Sequence, residues 1–320
     1  MNVKELQSIL DQIRQEMNRV IIGKEQVVEQ LLTALIASGH VLLEDVPGTG
    51  KTMLAKTLAK TLDCDFKRIQ FTPDLLPSDL SGIHFYNQQT SQFEFRAGPL
   101  FTNILLADEI NRATPRTQSS LLECMEERQI TIDGKTMPLS RPFMVIATQN
   151  PIESQGTFPL PEAQLDRFFM KISVGYPSTE ESVQILKRFH RDNPLEETKA
   201  VVAAEQLLQM QQAVKQVNVS DDLYAYIVAI VEGTRNHPDV RIGVSPRGMQ
   251  ALLRASQARA VLNGREYVVP DDVKETAVPV LSHRLVLNRF SHRLSEGEEG
   301  IVQQVLSQIE VPAERQLAGD

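Results

Sequence analysis

The segment Glu44-Asp45-Val46-Pro47-Gly48-Thr49-Gly50-Lys51-Thr52 sits between the apolar run Val41-Leu42-Leu43 and Met53-Leu54-Ala55-Lys56-Thr57-Leu58, which has helical spacing. Strand, glycine-containing turn and helix, in that order, are the context a phosphate-binding loop requires. Gly48 and Gly50 let the backbone curl so that successive N–H groups converge on an anion. The new helix brings the positive end of its dipole to the same spot. Lys51 can reach the β- and γ-phosphates of a nucleotide, and the Thr52 hydroxyl can ligate Mg²⁺. Asp45 stands where the general pattern has its first glycine. Alone, the segment also fits an ordinary tight turn between a strand and a helix.

A second landmark decides between the two. Asn103-Ile104-Leu105-Leu106-Ala107-Asp108-Glu109 is a continuous apolar run of the kind a buried central strand of a parallel sheet shows. It ends in adjacent carboxylates, at the strand end where open α/β sheets bind ligands. Asp108 can hold Mg²⁺ through water, and Glu109 can orient and deprotonate an attacking water. Phe143-Met144-Val145-Ile146-Ala147-Thr148 reads as another buried strand, delivering Asn150 to the same sheet edge.

Around these landmarks the chain reads in order. Leu6, Ile9, Leu10, Ile13 and Met17 predict a helix over 3–19, and Val27 to Leu35 a second one that stops at Gly39. Ile69-Gln70-Phe71 is expected as a short strand, followed by turn residues and a helical fragment over 72–82. His84 to Arg96 alternates as a hairpin, and Gln129 to Leu139 is a second hairpin around Asp133-Gly134. Leu121, Leu122 and Met125 mark a helix ending in Glu126-Glu127. A short helix over 158–168 and a last strand over 171–174 follow. From Tyr176 onward the texture changes to helix after helix with no further β-runs. Ser245-Pro246-Arg247 and Pro270-Asp271-Asp272 open two of these helices. Glu296-Gly297-Glu298-Glu299-Gly300 reads as a solvated turn.

The length of 320 residues suggests two domains at roughly 150 residues each. The expected division is an α/β domain over 1–177 and a helical lid over 178–320. A hydrophobic content of 42% is enough for packed cores, and a net charge of −8 argues against a strongly basic nucleic-acid surface. Cys64 and Cys124 form neither a disulfide framework nor a metal spacing, which suits a reducing compartment. No apolar run reaches the length of a membrane span. The N-terminal residues lack the apolar core of a signal peptide, so a cytoplasmic protein with no direct membrane insertion is expected.

With these residues in hand, the chain resembles an AAA+ ATPase, and within that superfamily the MoxR family. The resemblance spans nearly the whole chain. It rests on the phosphate loop, Leu106 to Arg112, Ala147 to Pro151, Leu160 to Phe168, and Ser245-Pro246-Arg247. The hairpins at 84–96 and 129–139 resemble insertions of the branch that also holds magnesium chelatases and MCM helicases. The implied fold is a P-loop AAA+ module: a parallel-sheet nucleotide-binding domain with hairpin insertions and a smaller all-helical lid. The implied cofactors are ATP and Mg²⁺.

The resemblance also assigns roles. Val46, Pro47, Gly48, Thr49, Gly50, Lys51, Thr52 and Met53 are expected to bind the nucleotide, with Thr52 and Asp108 on the metal and Glu109 as the base. Ile22 and Gly23 resemble the segment lining the adenine, and Asn150 the sensor that positions the attacking water. Arg167 resembles an arginine finger offered to the neighbouring subunit, and Arg247 the second sensor, acting in cis or in trans. A finger used in trans implies head-to-tail contacts that close into a ring, expected to be a hexamer. MoxR-type ATPases typically act with von Willebrand factor A domain partners, as chaperone-like remodellers of protein complexes. A nucleic-acid motor of the MCM type and a chelatase-type ATPase subunit are the alternatives. The near-neutral tip of the second hairpin, Asp133 beside Lys135, is a poor electrostatic footprint for DNA, so no nucleic acid is expected as a partner.

Overall fold

The computed structural model describes residues 3–44, 46, 48–151, 156–190, 194–288 and 297–312. By internal packing the chain divides into two compact units, Met1–Gln212 and Ala213–Asp320. The sequence division at 177 falls just after the last strand of the sheet, Met170–Ile172; the packing division falls some 35 residues later.

The first unit opens with helices α1 (Val3–Val20) and α2 (Glu25–Ile36). In α1, Leu6, Leu10, Ile13 and Met17 recur at three and four residues and are all buried. Ser38, with φ +57°, turns the chain out of α2, and the Gly39 N–H donates to the Ala34 carbonyl at 2.7 Å. Gly39 itself is needed for a different reason than helix termination: a Cβ there would lie 2.3 Å from the Phe169 ring.

β1 (Val41–Glu44) leads through the glycine loop into α3 (Lys51–Thr61), then β2 (Phe66–Gln70) and the short α4 (Pro77–Ser81). The second strand therefore begins three residues before the expected Ile69 and ends before Phe71, which is buried beyond it. A hairpin follows, β3 (Gly82–Asn87) paired antiparallel with β4 (Gln92–Ala97). Next come β5 (Ile104–Asp108), α5 (Pro115–Glu127), and the hairpin β6 (Gln129–Ile132) with β7 (Lys135–Pro138). Asp133 and Gly134 at its turn have φ +48° and +75°, the left-handed pair an Asp-Gly hairpin turn calls for. β8 (Met144–Gln149), α6 (Glu162–Leu165) and β9 (Met170–Ile172) complete the sheet. α7 (Thr179–Phe189), α8 (Pro194–Glu197) and α9 (Ala204–Val214) follow.

The five strands β2-β5-β8-β1-β9 form one parallel sheet. β5 and β8 are buried along almost their whole length, which is why they read as unbroken apolar runs. Leu42, Leu105, Ala107, Val145 and Ala147 line one face of the sheet, in a core they share with Leu121 and Leu122 of α5. Beneath the sheet His40 is fully enclosed: its Nδ1 accepts the Val145 N–H at 2.9 Å, and its Nε2 lies 3.0 Å from the Met125 carbonyl. A backbone N–H only donates, so the ring is the Nε2–H tautomer, neutral and donating to Met125. All three chemical landmarks leave the sheet at one edge, because parallel strands end on the same side.

The second unit is built of α10 (Asp221–Asn236), α11 (Pro246–Leu262), α12 (Pro270–Leu281) and α13 (Gly297–Gln308). The expected helical character holds, with one addition: β10 (Val240–Ile242) and β11 (Val286–Leu287) pair as a small antiparallel ladder. Ser245 caps α11 by accepting the Gly248 N–H at 3.1 Å. The expected turn at 296–300 is corrected as well. Gly297, Glu298, Glu299 and Gly300 form the first turn of α13, where acidic residues favour the helix dipole, and Glu296 lies outside the described residues. The Asp272 carboxylate, 1% exposed, accepts two N–H groups of Arg265 and one from the Val269 backbone.

Candidate nucleotide site

The turn between β1 and α3 has the geometry its glycines suggest. Gly48 and Gly50 lie at φ +86° and +90°, in the left-handed region that side chains disfavour. Among the described residues, nothing beyond the adjoining chain lies within 4 Å of where a Cβ would stand at either position, so conformation demands glycine here. Gly50 is the N-cap of α3, and no side chain caps that end. The helix therefore presents its N-terminus to whatever enters the cleft. Thr49 Oγ1 and Lys51 Nζ both donate to the Val46 carbonyl, at 3.3 and 3.2 Å, folding the lysine back over its own loop. Pro47 lies outside the described residues, as does Asp45. Met53 sits in the first turn of α3.

Gly48, Gly50, Lys51 and Thr52 share one cleft of about 360 Å³ with Asp108, Glu109 and Asn150. Consecutive strand residues point to opposite faces. Glu109, at φ +55°, leaves β5 in the left-handed conformation, and both carboxylates line the same cleft. The Glu109 N–H donates to Thr148 Oγ1 at 2.8 Å, and that hydroxyl donates to Asp108 Oδ1 at 2.6 Å. Asp108 Oδ2 accepts two N–H groups of Arg68, at 3.1 and 2.6 Å. Arg68 also donates to Gln70 Oε1 at 3.0 Å, and Gln70 Nε2 donates to Glu109 Oε2 at 2.8 Å. Arg112 Nε lies 3.1 Å from the same Glu109 oxygen. The two carboxylates are thus tied into one hydrogen-bonded circuit through Arg68, Gln70 and Thr148.

The sequence reading gives neither Arg68 nor Gln70 a role in the site. They become visible through register: β2 lies beside β5 with Gln70 opposite Asp108, so residues 68 and 70 share the Asp108 face. Thr148, inside an expected strand, acquires its role the same way.

The remaining candidates fall elsewhere. Ile22 and Gly23 line a second cleft, of about 1250 Å³, together with Glu181, Gln184 and Lys187 of α7; its lining shares no residue with the first. Gly23 is at φ +69°, and a Cβ there would collide with the Glu181 side chain. Arg167 follows α6 and pairs with Glu126 at 3.2 Å. Arg247 is exposed in the first turn of α11, in the second unit.

The donors present suit a divalent cation and a polyphosphate. The Thr52 hydroxyl and the Asp108 carboxylate are hard oxygen ligands of the sort Mg²⁺ takes alongside waters and phosphates. Lys51 and the open glycine loop supply the complementary charge and N–H groups for an anion.

A family model described as the ATPase family associated with various cellular activities (AAA) matches residues 40–170, and an AAA lid domain model matches residues 232–307. The chain is 50% identical over 312 residues to the uncharacterized protein YeaC of Bacillus subtilis (strain 168), spanning 98% of each. It is 42% identical over 306 residues to the chaperone MoxR1 of Mycobacterium tuberculosis (strain ATCC 25618 / H37Rv), spanning 93% of this chain and 81% of that protein. A crystal structure of a provisionally assigned ATPase from Cytophaga hutchinsonii ATCC 33406 matches with a TM-score of 0.91 at 39% identity, over 97% of each chain.

Proposed function

Because this chain belongs to the MoxR family of AAA+ ATPases, we propose that it hydrolyses ATP with Mg²⁺ in the cleft described above and uses the cycle to remodel protein complexes. One observation carries the reading. Gly48, Gly50, Lys51, Thr52, Asp108, Glu109 and Asn150, drawn from three separate strand ends, line a single cleft. A plain strand-to-helix turn at 44–52 would have no reason to gather the other three.

The chemistry follows from the residues. The nucleotide is the substrate and brings the phosphoanhydride; a bound Mg²⁺ would supply neutralisation of the phosphate charge. The loop N–H groups and Lys51 hold the phosphates. Thr52 would hold the metal through its hydroxyl, and Asp108 would hold it through water. Glu109 accepts the proton of the attacking water, and Asn150 orients that water. Ile22 and Gly23 serve the base, and Arg247 acts as the second sensor. Arg167 leaves Glu126 to meet the nucleotide of a neighbouring copy, which makes the contact head to tail and the assembly a ring, a hexamer in this reading.

The chaperone-like role draws support from the Mycobacterium tuberculosis relative that bears that name. The partner in this reading carries a von Willebrand factor A domain. The location is cytoplasmic: Cys64 and Cys124 are free thiols, as a reducing compartment favours. No helix among the described residues is long and apolar enough to cross a membrane.

Two variants test the site. Lys51→Ala should lose tight ATP binding, because the principal phosphate counter-charge goes. Glu109→Gln should keep ATP while hydrolysing it very slowly, because the base alone is lost. Near-wild-type turnover in both would overturn the assignment. A pull-down with ATP-locked Glu109→Gln, compared with Lys51→Ala, then reads the partner. A von Willebrand-type protein enriched only in the locked state supports remodelling; nucleic acid released by salt instead would refute it.

A further inference from the structure

We propose that Thr148 is the positioning residue of the cleft: its one hydroxyl aims both carboxylates, orienting Asp108 and holding the turn that brings Glu109 to the same side. The proposal rests on the reading of the cleft as a Mg²⁺–nucleotide site and adds a residue to it.

The direction of both hydrogen bonds is forced. A backbone N–H only donates, so Thr148 Oγ1 accepts from Glu109 at 2.8 Å. A carboxylate accepts, so the single hydroxyl proton goes to Asp108 Oδ1 at 2.6 Å. Buried threonines on the helices spend their hydroxyls differently. Thr57, Thr61 and Thr276 each donate to a carbonyl of their own helix, four residues back. Thr148 spends its hydroxyl on the two acids of the cleft.

The consequences differ for the two. Asp108 is held at both oxygens, Oδ1 by Thr148 and Oδ2 by Arg68 at 3.1 and 2.6 Å, so its carboxylate plane cannot swing about χ2. Thr148 takes one lone pair of Oδ1 and leaves the other for a water on the cation, pointing in a fixed direction. Glu109, continuing an extended strand, would face away from Asp108. It stands instead at φ +55°, a conformation that persists only where the surroundings hold it, and Thr148 holds its N–H.

Thr148 is itself immobile. It is 1% exposed, its Cβ is branched, and β8 lies between β5 and β1 with Thr148 opposite Leu43. The hydroxyl is therefore as fixed as the sheet.

The test separates the hydroxyl from the shape. Thr148→Val keeps the branched side chain and loses the hydroxyl, and Thr148→Ser does the reverse. Two quantities are read, with thermal midpoints as a control for folding. One is kcat and KM for ATP. The other is the ratio of the Kd of N-methylanthraniloyl-ADP in EDTA to its Kd in saturating Mg²⁺. Thr148→Val should lower kcat about 10- to 100-fold with little change in KM, and bring the ratio down toward that of Asp108→Asn. Thr148→Ser should recover most of both. Should Thr148→Val fail to fold, Thr148→Ser decides, and a loss of about tenfold or more in its kcat overturns the proposal. A wild-type kcat and ratio in Thr148→Val, or a Thr148→Ser as impaired as Thr148→Val, overturns the Thr148 assignment. The site itself stands in that case if Glu109→Gln loses turnover and Asp108→Asn loses the ratio. Wild-type turnover in Glu109→Gln together with a wild-type ratio in Asp108→Asn overturns the reading of the cleft, and this assignment with it.

Discussion

Acid should destabilise the sheet that carries the site through a single imidazole, His40. Burial, helped by the positive charge of Arg128, pushes this ring down to about 3 from 6.5. The hydrogen bonds give the same answer independently: Nδ1 can accept the Val145 N–H only while unprotonated. Protonation would turn two donors against each other inside the core. In the unfolded chain the ring titrates normally, so below about pH 6.5 the unfolded state binds one more proton than the folded state. Stability is therefore intact above that pH and is lost progressively as pH falls toward 3. Between about pH 7.5 and about pH 5 the loss is about 2 kcal/mol, rising to a ceiling of about 5 kcal/mol at the folded-state value. Carboxylates also titrate in acid, so the measurement is a difference. Urea midpoints of wild type and His40→Gln are followed over this range, and wild type should show the steeper decline by about one proton. Coincident slopes would refute the reasoning. So would an NMR titration in which the His40 ring of the folded protein protonates near pH 6.5.

Three further outcomes follow from other features. Asp272→Ala should destabilise the second unit by about 3–5 kcal/mol, since it strands Arg265 beside a buried hole, and differential scanning calorimetry reads it. Gly39→Ala should cost about 1–3 kcal/mol, because its new Cβ meets the Phe169 ring; adding Phe169→Leu should recover part of this in a double-mutant cycle of denaturation midpoints. Arg167→Ala should leave nucleotide affinity near wild type while lowering turnover by about 10³-fold or more, as befits a charge supplied to the transferring phosphoryl group. Equal losses of binding and turnover would instead place Arg167 in the ground-state site.

What the chain discloses unaided is its local grammar. The positive-φ glycines Gly48 and Gly50, the apolar run ending in Asp108-Glu109 and the Asp133-Gly134 turn are each set by neighbours in sequence, and each stands where the sequence places it. Features set by distant neighbours were not legible. Arg68 and Gln70 gain meaning only from the register of β2 on β5. Gly39 looked like a helix stop, but the ring pressing on it comes from 130 residues away. The β10–β11 ladder, three residues against two, is too short to show a period. The end of the sheet, at Ile172, is readable to within a few residues from the change in texture at Tyr176. The further packing of α7 and α8 with the first unit depends on contacts that no periodicity encodes.

The order of strands in the sheet has a consequence for the birth of the molecule. β1, which launches the phosphate loop, lies between β8 and β9, and its first residue pairs with Ile146 and Met170. Both partners emerge from the ribosome more than a hundred residues after it. At about 5–20 residues per second, Val41-Leu42-Leu43 waits on the order of ten seconds with both edges unpaired. Loop closures of this length are slow to win back their entropy, and a bare apolar strand is a template for wrong pairing. The phosphate loop is thus among the first functional elements to be synthesised and among the last to be secured. Truncated nascent chains ending before Met170 should be the ones that need a chaperone of their own.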